Sequence, residues 1–416
     1  MKPEKVVKRN GDVVAFDKQK IETAITKANR DVSEDNRVQN IFNVTDKVVS
    51  EIPEENNSVT VDQIHKTVEN ALMDLKYFDL ARKYIGYKES NKADIFKKRV
   101  QYKPFEYPQF QDYVDAIRQS YWLVEEFNYN SDIQNFKTDL TEKERNVVKN
   151  AMLAISQIEA YSVKTFWGKI YDRMPKPEVA DVGATFAESE SRHASAYSHL
   201  LEILGLNEEF KQVTEIPAIK ERMAYLSDFV SPDSRSDREY MHSVLLFSMF
   251  IENVSLFGQF LIISSFDKEK NMLKGIGNAI QATSLEEECH SRFGAELISI
   301  LRNEKPQWFT DELEQQVHDS CLRSFESEKK VIEWIFEKGD LDFITKYEVI
   351  EYIKDRFNRS MEMMGFSHVF VPKKECLDKF KWFDVQMKTT THVDFFAKRS
   401  TSYTKMTDSY SEDDLF

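Results

Sequence analysis

Two short spacings in this sequence set metal-type ligands side by side: Glu190 with His193, and Glu287 with His290. Three residues of α-helix turn through about 300°, so each Glu-x-x-His pair offers a carboxylate and an imidazole on one face, one turn apart. One helix can thereby give two ligands to one ion. A single pair of this kind arises by chance on many solvated helices and carries little weight alone. Two further carboxylates change that. Glu159 stands in AMLAISQIEAYSV and Glu252 in LLFSMFIENVSLFG, runs so apolar that an unpaired charge would be costly. Taken separately, each could be a protonated or hydrogen-bonded core residue.

Together the four segments read Glu, Glu-x-x-His, Glu, Glu-x-x-His, the ligand order of ferritin-like di-iron and di-manganese carboxylate bundles. Four carboxylates and two imidazoles are a hard, oxygen-rich set, suited to iron or manganese rather than to structural zinc. Such a set needs long helices, and the chain supplies their signals. Glycine (11) and proline (10) are scarce among 416 residues while Phe (30) and Tyr (17) are plentiful, which predicts a mainly α protein. From about 110 to 370 helix follows helix. Thr141-x-x-Glu144 opens one as a capping box, Pro177 and Gly205 bracket the next, and Ser236 or Asp237 caps the long apolar helix holding Glu252. The stretch Val244 to Phe266 is apolar enough to pass for a membrane span, but Glu252, Asn253 and Gln259 inside it argue for a buried core helix.

The rest of the chain divides around this bundle. In KVVKRNGDVVAF, residues 5–16, Asn10-Gly11 lies between two β-prone runs and predicts a hairpin. A helix from Lys18 to Arg30 follows, with Ile21, Ala24, Ile25 and Ala28 at helical spacing, then amphipathic segments over 36–51 and 60–87. The expected plan is a small α+β domain over 1–95, a Pro-containing linker over 96–107, the bundle over 108–385 and an acidic, aperiodic tail over 386–416. A formal charge of −14 disfavours a nucleic-acid partner. Three cysteines, Cys289, Cys321 and Cys376, form no even framework, and the opening MKPEKVVKRNGDVV carries no apolar signal segment, so a cytoplasmic protein is expected.

Over roughly 110–416 these residues resemble the small subunit of class I ribonucleotide reductase. AESESRHASAYSHLL is similar to that family's E-x-x-H-x-x-x-Y-S-x-L-L element, and puts Tyr197 at the radical-bearing tyrosine. QSYWLVEEFNYNSDI resembles its S-F-W element, with Trp122 as relay tryptophan; F-F-x-K-R-x-x-x-Y near the end puts Tyr403 at the mobile tail tyrosine. The closing SEDDLF is similar to the family's docking peptide. The resemblance implies that Glu159, Glu190, His193, Glu252, Glu287 and His290 hold two metal ions. It implies also that an oxidising equivalent made there passes to a separate catalytic large subunit, which reduces ribonucleotides to deoxyribonucleotides. The sequence departs from the common pattern at Glu159, where many members have Asp, and at Glu286, where an Asp commonly bridges the metal site to the relay. Both departures bring it closer to members that store the equivalent on the metals, and a manganese pair is preferred over di-iron or mixed manganese and iron.

Residues 1–95 resemble the ATP-cone through the pattern VxKRxGxxxxFxxxKI, here Val6, Lys8, Arg9, Gly11, Phe16, Lys20 and Ile21, followed by a helix with His65. Lys8, Arg9 and Lys20 gather positive charge around a tight turn and a helix start, as phosphate binding requires. ATP and dATP are the implied effectors, with His65 and Lys88 as further contacts. A homodimer that forms a larger assembly with dATP is expected, with no membrane partner. Another di-metal carboxylate oxidase would share the six ligands without needing Trp122 or Tyr403. A ferritin-like storage or nucleotide-sensing protein would lack the radical chemistry.

Overall fold

The computed structural model describes residues 3–7, 13–53, 57–90, 93–160, 163–230 and 236–389. The chain forms two compact units, Met1–Ala93 and Asp94–Phe416. In the first, strand β1 (Lys5–Val7) pairs antiparallel with β2 (Val13–Ala15), with Val6 opposite Val14, so the expected hairpin strands are present. A third strand, β3 (Ser58–Thr60), lies parallel to β1 on its other edge, giving the order β2-β1-β3. The sequence pattern does not reveal β3, because three residues are too few for an alternation to register. Helix α1 spans Lys18–Arg30 and starts at Asp17, whose carboxylate accepts from the Gln19 amide. Helices α2 (Ile41–Glu51), α3 (Val61–Asp74) and α4 (Phe78–Ser90) follow. Thr60 and Gln63 form a capping box that fixes the passage from β3 into α3. Ile21, Ile25, Val48, Val59, Val68 and Leu72 close this unit's own core.

The second unit is built from helices, as its composition predicts. Glu142–Ala160 begins at the Thr141 box, where the Thr141 amide donates to Glu144 Oε2 (2.9 Å) and the Glu144 amide to Thr141 Oγ1 (3.3 Å). Pro177–Leu204 starts on proline and stops at Gly205, whose φ of 77° suits a residue without Cβ. The long apolar run starts at Ser236, boxed with Glu239, but it is not one uniform helix. Asp237–Leu246 gives way to a π-helical segment, Phe247–Ser255, and then to Phe257–Lys270. The whole run Asp237–Lys270 is long and apolar enough to cross a membrane, and its most apolar stretch is entirely buried inside the protein. Lys274–Glu304 completes the set.

These four helical runs pack together, with Pro177–Leu204 against Glu142–Ala160 and Lys274–Glu304 against the π segment. One glycine allows close approach between two of these runs, and another lets Pro177–Leu204 sit against the short helix Val163–Gly168. A Cβ on Gly294 would fall 2.2 Å from Ser248 Cβ, and one on Gly183 would fall 2.6 Å from the Trp167 carbonyl oxygen. Around the polar centre, Ile155, Ile158, Phe186, Leu200, Phe250 and Phe293 belong to one continuous apolar core. That core excludes water from the acidic side chains inside it. Phe110–Gln119, Asp311–Ile335, Lys346–Met363 and Lys374–Thr389 surround the four.

Candidate metal centre

Each of the four runs directs a carboxylate into one buried space. Glu159, Glu190, His193 and Glu287 have ligand atoms all within 4.8 Å of one another, and so do Glu190, Glu252, Glu287 and His290. Glu190 and Glu287 belong to both groups, which is the arrangement of two carboxylates shared between neighbouring cations. Nδ1 of His193 lies 3.0 Å from Glu287 Oε1 and 3.5 Å from Glu190 Oε2. Nδ1 of His290 lies 3.0 Å from Glu190 Oε1 and 3.5 Å from Glu287 Oε2. The i, i+3 spacing on two facing helices thus produces a nearly two-fold cage, with Glu159 closing the His193 end (3.7 Å) and Glu252 the His290 end (3.6 Å).

The donor set fits a pair of divalent cations. Nine buried ligand atoms have no hydrogen-bond partner: both oxygens of Glu159, Glu190 and Glu287, Oε2 of Glu252, and Nδ1 of His193 and His290. Buried polar atoms are nearly always satisfied, so nine orphans facing one space fit a site built to hold cations. Four carboxylates carry the charge that two dications neutralise. Protons compete for the same space. Burial, reinforced by the charges of Glu287 and Glu190, pushes Glu159 and Glu252 well above the usual carboxylate range. Burial alone would raise Glu287, but Glu252 and the two imidazoles outweigh it and hold its carboxyl below that range. Burial disfavours charge on both histidines, yet the surrounding carboxylates hold each imidazole well above its ordinary value.

A second ring of side chains orients the ligands. The His193 Nε2–H donates to Glu286 Oε2 (2.7 Å), which leaves Nδ1 facing the carboxylates. Ser189 Oγ donates to the Phe186 carbonyl (2.8 Å), so it is left to accept from His290 Nε2 (3.0 Å). Trp167 Nε1 donates to Glu252 Oε1 (2.7 Å) and leaves Oε2 free toward His290. Sequence reasoning missed Trp167 and Ser189, since neither stands at a fixed offset from the ligand it orients.

Glu286 joins the cage to Trp122, whose buried Nε1–H donates to its Oε2 (3.2 Å). The Arg192 guanidinium donates to both oxygens of Glu286 (3.2 and 3.0 Å). Burial raises the Glu286 carboxyl, but His193 and Arg192 outweigh it and keep the group below its usual range, hence an acceptor for these three side chains and for Ser120 Oγ (3.4 Å). Arg192 is another residue the sequence pattern did not reveal. Tyr197 is buried near the cage, but its hydroxyl donates to Thr283 Oγ1 (3.2 Å) on the Lys274–Glu304 helix. Burial, then the Glu159 charge, raises the phenol well above its usual value.

In the first unit Lys20 is exposed on α1 and Ile21 is buried in the core. His65 Nδ1 and Tyr84 Oη lie 2.9 Å apart, and Lys88 falls within α4. Lys8, Arg9, Gly11, Tyr403 and the closing SEDDLF lie outside the described residues.

Comparison with known proteins agrees with this architecture. The family model for the ribonucleotide reductase small chain matches residues 99–376, and that for the ATP cone domain matches residues 4–93. A probable ribonucleoside-diphosphate reductase small subunit of Invertebrate iridescent virus 6 is 26% identical over 344 residues, covering 74% of this chain and 95% of its own. The ribonucleotide reductase R2 subunit of Clostridium botulinum superimposes with a TM-score of 0.60 at 17% identity, over 71% of this chain and 98% of that one. The dimanganese(II)-NrdF of Streptococcus sanguinis gives 0.59 at 15% identity, over 68% and 96%. The chain therefore belongs to the ribonucleotide reductase small-chain family, as the small subunit of a class I ribonucleoside-diphosphate reductase that carries an ATP cone at its N-terminus and works with a large catalytic subunit.

Proposed function

We propose that Glu159, Glu190, His193, Glu252, Glu287 and His290 hold two manganese ions, and that Trp122 and Tyr403 carry the oxidising equivalent from them to the catalytic subunit. The observation that carries this reading is the convergence of nine unsatisfied ligand atoms from those six side chains. Bound there, the metal pair would supply and store a one-electron oxidising equivalent. The chain's own residues do the rest. The apolar core keeps water from the cage, Ser189 and Glu286 hold the imidazoles with Nδ1 inward, and Glu286 links His193 to the Trp122 indole. Storage on the metals is favoured over storage on Tyr197, because the sequence departs from the common pattern at Glu159 and Glu286 and the Tyr197 phenol donates to Thr283 and not to a cage carboxylate.

Tyr197→Phe tests that choice. The variant is expected to keep most of its turnover with the catalytic subunit, and its electron paramagnetic resonance spectrum is that of an exchange-coupled metal pair. A sharp organic radical in the native protein that disappears in Tyr197→Phe would place storage on the tyrosine instead. Iron or mixed manganese and iron are the other occupants, and metal analysis after controlled supply of each ion decides among them.

The cone is the proposed sensor. ATP and dATP differ at the 2′-hydroxyl, and a domain that couples that difference to assembly can report accumulated product. Lys8, Arg9 and Lys20 are assigned to the phosphates, Gly11 and Ile21 to the turn and helix that shape the pocket, and His65 and Lys88 to the rest of the nucleotide. In this reading the protein is a cytoplasmic homodimer, without a nucleic-acid or membrane partner, which dATP converts to a larger and inactive assembly. Because the second unit, which starts at Asp94, has a core of its own, deleting residues 1–93 is expected to leave metal content and basal turnover intact. The same deletion removes dATP inhibition and any dATP-dependent gain in mass by light scattering. Inhibition that persists would move the switch to the partner subunit.

A further inference from the structure

Glu252 stands in the π-helical segment Phe247–Ser255, and that segment is held from outside. A π turn takes in an extra residue and shifts carbonyls out of the α-helical ladder, so it persists only where packing or side-chain donors compensate. Here the compensation comes from the helix Lys346–Met363. Arg356 donates to the carbonyl oxygen of Asn253 from Nε (2.9 Å) and Nη2 (2.6 Å), and from Nη2 to Asn253 Oδ1 (2.6 Å). Ser360 Oγ donates to the Met249 carbonyl (2.7 Å) and accepts from Asn253 Nδ2 (2.8 Å). The guanidinium lies 3.7 Å above the centre of the Phe257 ring, just past the segment's end.

The choice of residue is informative. Arg356 is 5% exposed, and a buried guanidinium ordinarily faces a carboxylate. Among the described residues none lies within ion-pair distance of it, and its donors go to the residue that follows Glu252. Asn253, Ser360 and Met249 are buried as well, so water cannot substitute for either donor. On the other side Trp167 holds Oε1 of Glu252, and Oε2 points to the His290 end of the cage. The backbone of Glu252 is thus clasped from one helix and its carboxylate from another.

We propose that Arg356, assisted by Ser360, is a positioning residue for the metal centre: it fixes the widened turn and so sets where Glu252 delivers its carboxylate beside His290. The inference rests on the reading of Glu252 as a ligand. It is tested by titrating Mn(II) into the full chain as wild type, Arg356→Leu, Arg356→Lys, Ser360→Ala and Glu252→Ala, reading exchange-coupled and isolated Mn(II) by electron paramagnetic resonance. Arg356→Leu is expected to weaken binding of the second ion about 10- to 100-fold, the usual effect of losing an outer-shell partner. At manganese levels that fill the wild type, its spectrum then becomes that of an isolated ion. Arg356→Lys keeps the charge without the two-pronged donor and recovers part of the coupled signal. Ser360→Ala shifts the titration less, in the same direction.

A merely structural role would lower the melting temperature and leave the ratio of coupled to isolated ions unchanged. A wild-type titration for Arg356→Leu, with Glu252→Ala losing the coupled pair, overturns the clasp and leaves the ligand set standing. A coupled pair that survives Glu252→Ala removes the ligand reading and the clasp with it. Should Arg356→Leu not fold, unchanged titrations of both Arg356→Lys and Ser360→Ala overturn the proposal.

Discussion

Glu287→Ala and Glu190→Ala are each expected to lose both metal ions, whereas Glu159→Ala and Glu252→Ala each lose one. The difference follows from sharing. The two oxygens of Glu287 face His193 and His290 separately (3.0 and 3.5 Å), and Glu190 does the same from the opposite helix (3.5 and 3.0 Å). Glu159 and Glu252 each belong to one group only. Without a shared carboxylate, both groups would lose a donor and the three remaining carboxylates would carry too little negative charge to neutralise two buried dications. Breaking a buried ionic set by deleting one member costs about 3–5 kcal/mol, or roughly two to four orders of magnitude in affinity. The check is the number of metal ions per chain after loading and desalting, with circular dichroism to establish that the bundle has formed. Full dinuclear occupancy in both Glu190→Ala and Glu287→Ala would remove the shared-carboxylate reading.

The cluster was easy to anticipate for a simple reason: four of its six side chains come as i, i+3 pairs, and helical geometry converts that spacing into adjacency without knowledge of the rest of the fold. The elements that carry it were legible for equally local reasons. Thr141 and Glu144, Pro177 and Gly205, and Ser236, one of the two caps expected for its helix, act within a few residues of themselves. What escaped depends on partners far along the chain. Trp167 is 85 residues from the carboxylate it holds, and Ser189 is 101 from its histidine. Thr283 accepts the Tyr197 hydrogen bond across 86 residues. Strand β3 exists only because β1 lies beside it. The π segment escaped for a different cause. Residues 244–266 are apolar on every side, so their hydrophobic pattern has no phase in which an inserted residue would show, and the side chains that hold the segment lie about a hundred positions later.

Trp122→Phe is expected to reduce turnover with the catalytic subunit to background while leaving metal content and the spectrum of the metal pair unchanged. The argument starts from what the substitution removes. Trp122 stacks beside His193 with ring centres 6.0 Å apart at 21°, and Glu286 bridges the two through bonds of 3.2 and 2.7 Å. Phenylalanine keeps an apolar ring in the same buried position but has no N–H to give Glu286 and is much harder to oxidise, so both the bridge and the relay are lost. The metal side survives because Glu286 keeps its other donors. Arg192 holds both carboxylate oxygens and His193 holds one, so the carboxylate is neither stranded nor released toward the cage. The Nδ1 of His193 therefore stays directed at Glu159, Glu190 and Glu287. Tyr403→Phe is expected to give the same loss from the tail, again with metals intact. Turnover and metal content are measured on the same preparations, so a lost relay separates from a lost centre. Normal turnover in Trp122→Phe would exclude the indole from the path, and lost metal in that variant would mean that the Trp122 bond to Glu286 is needed to hold the centre together.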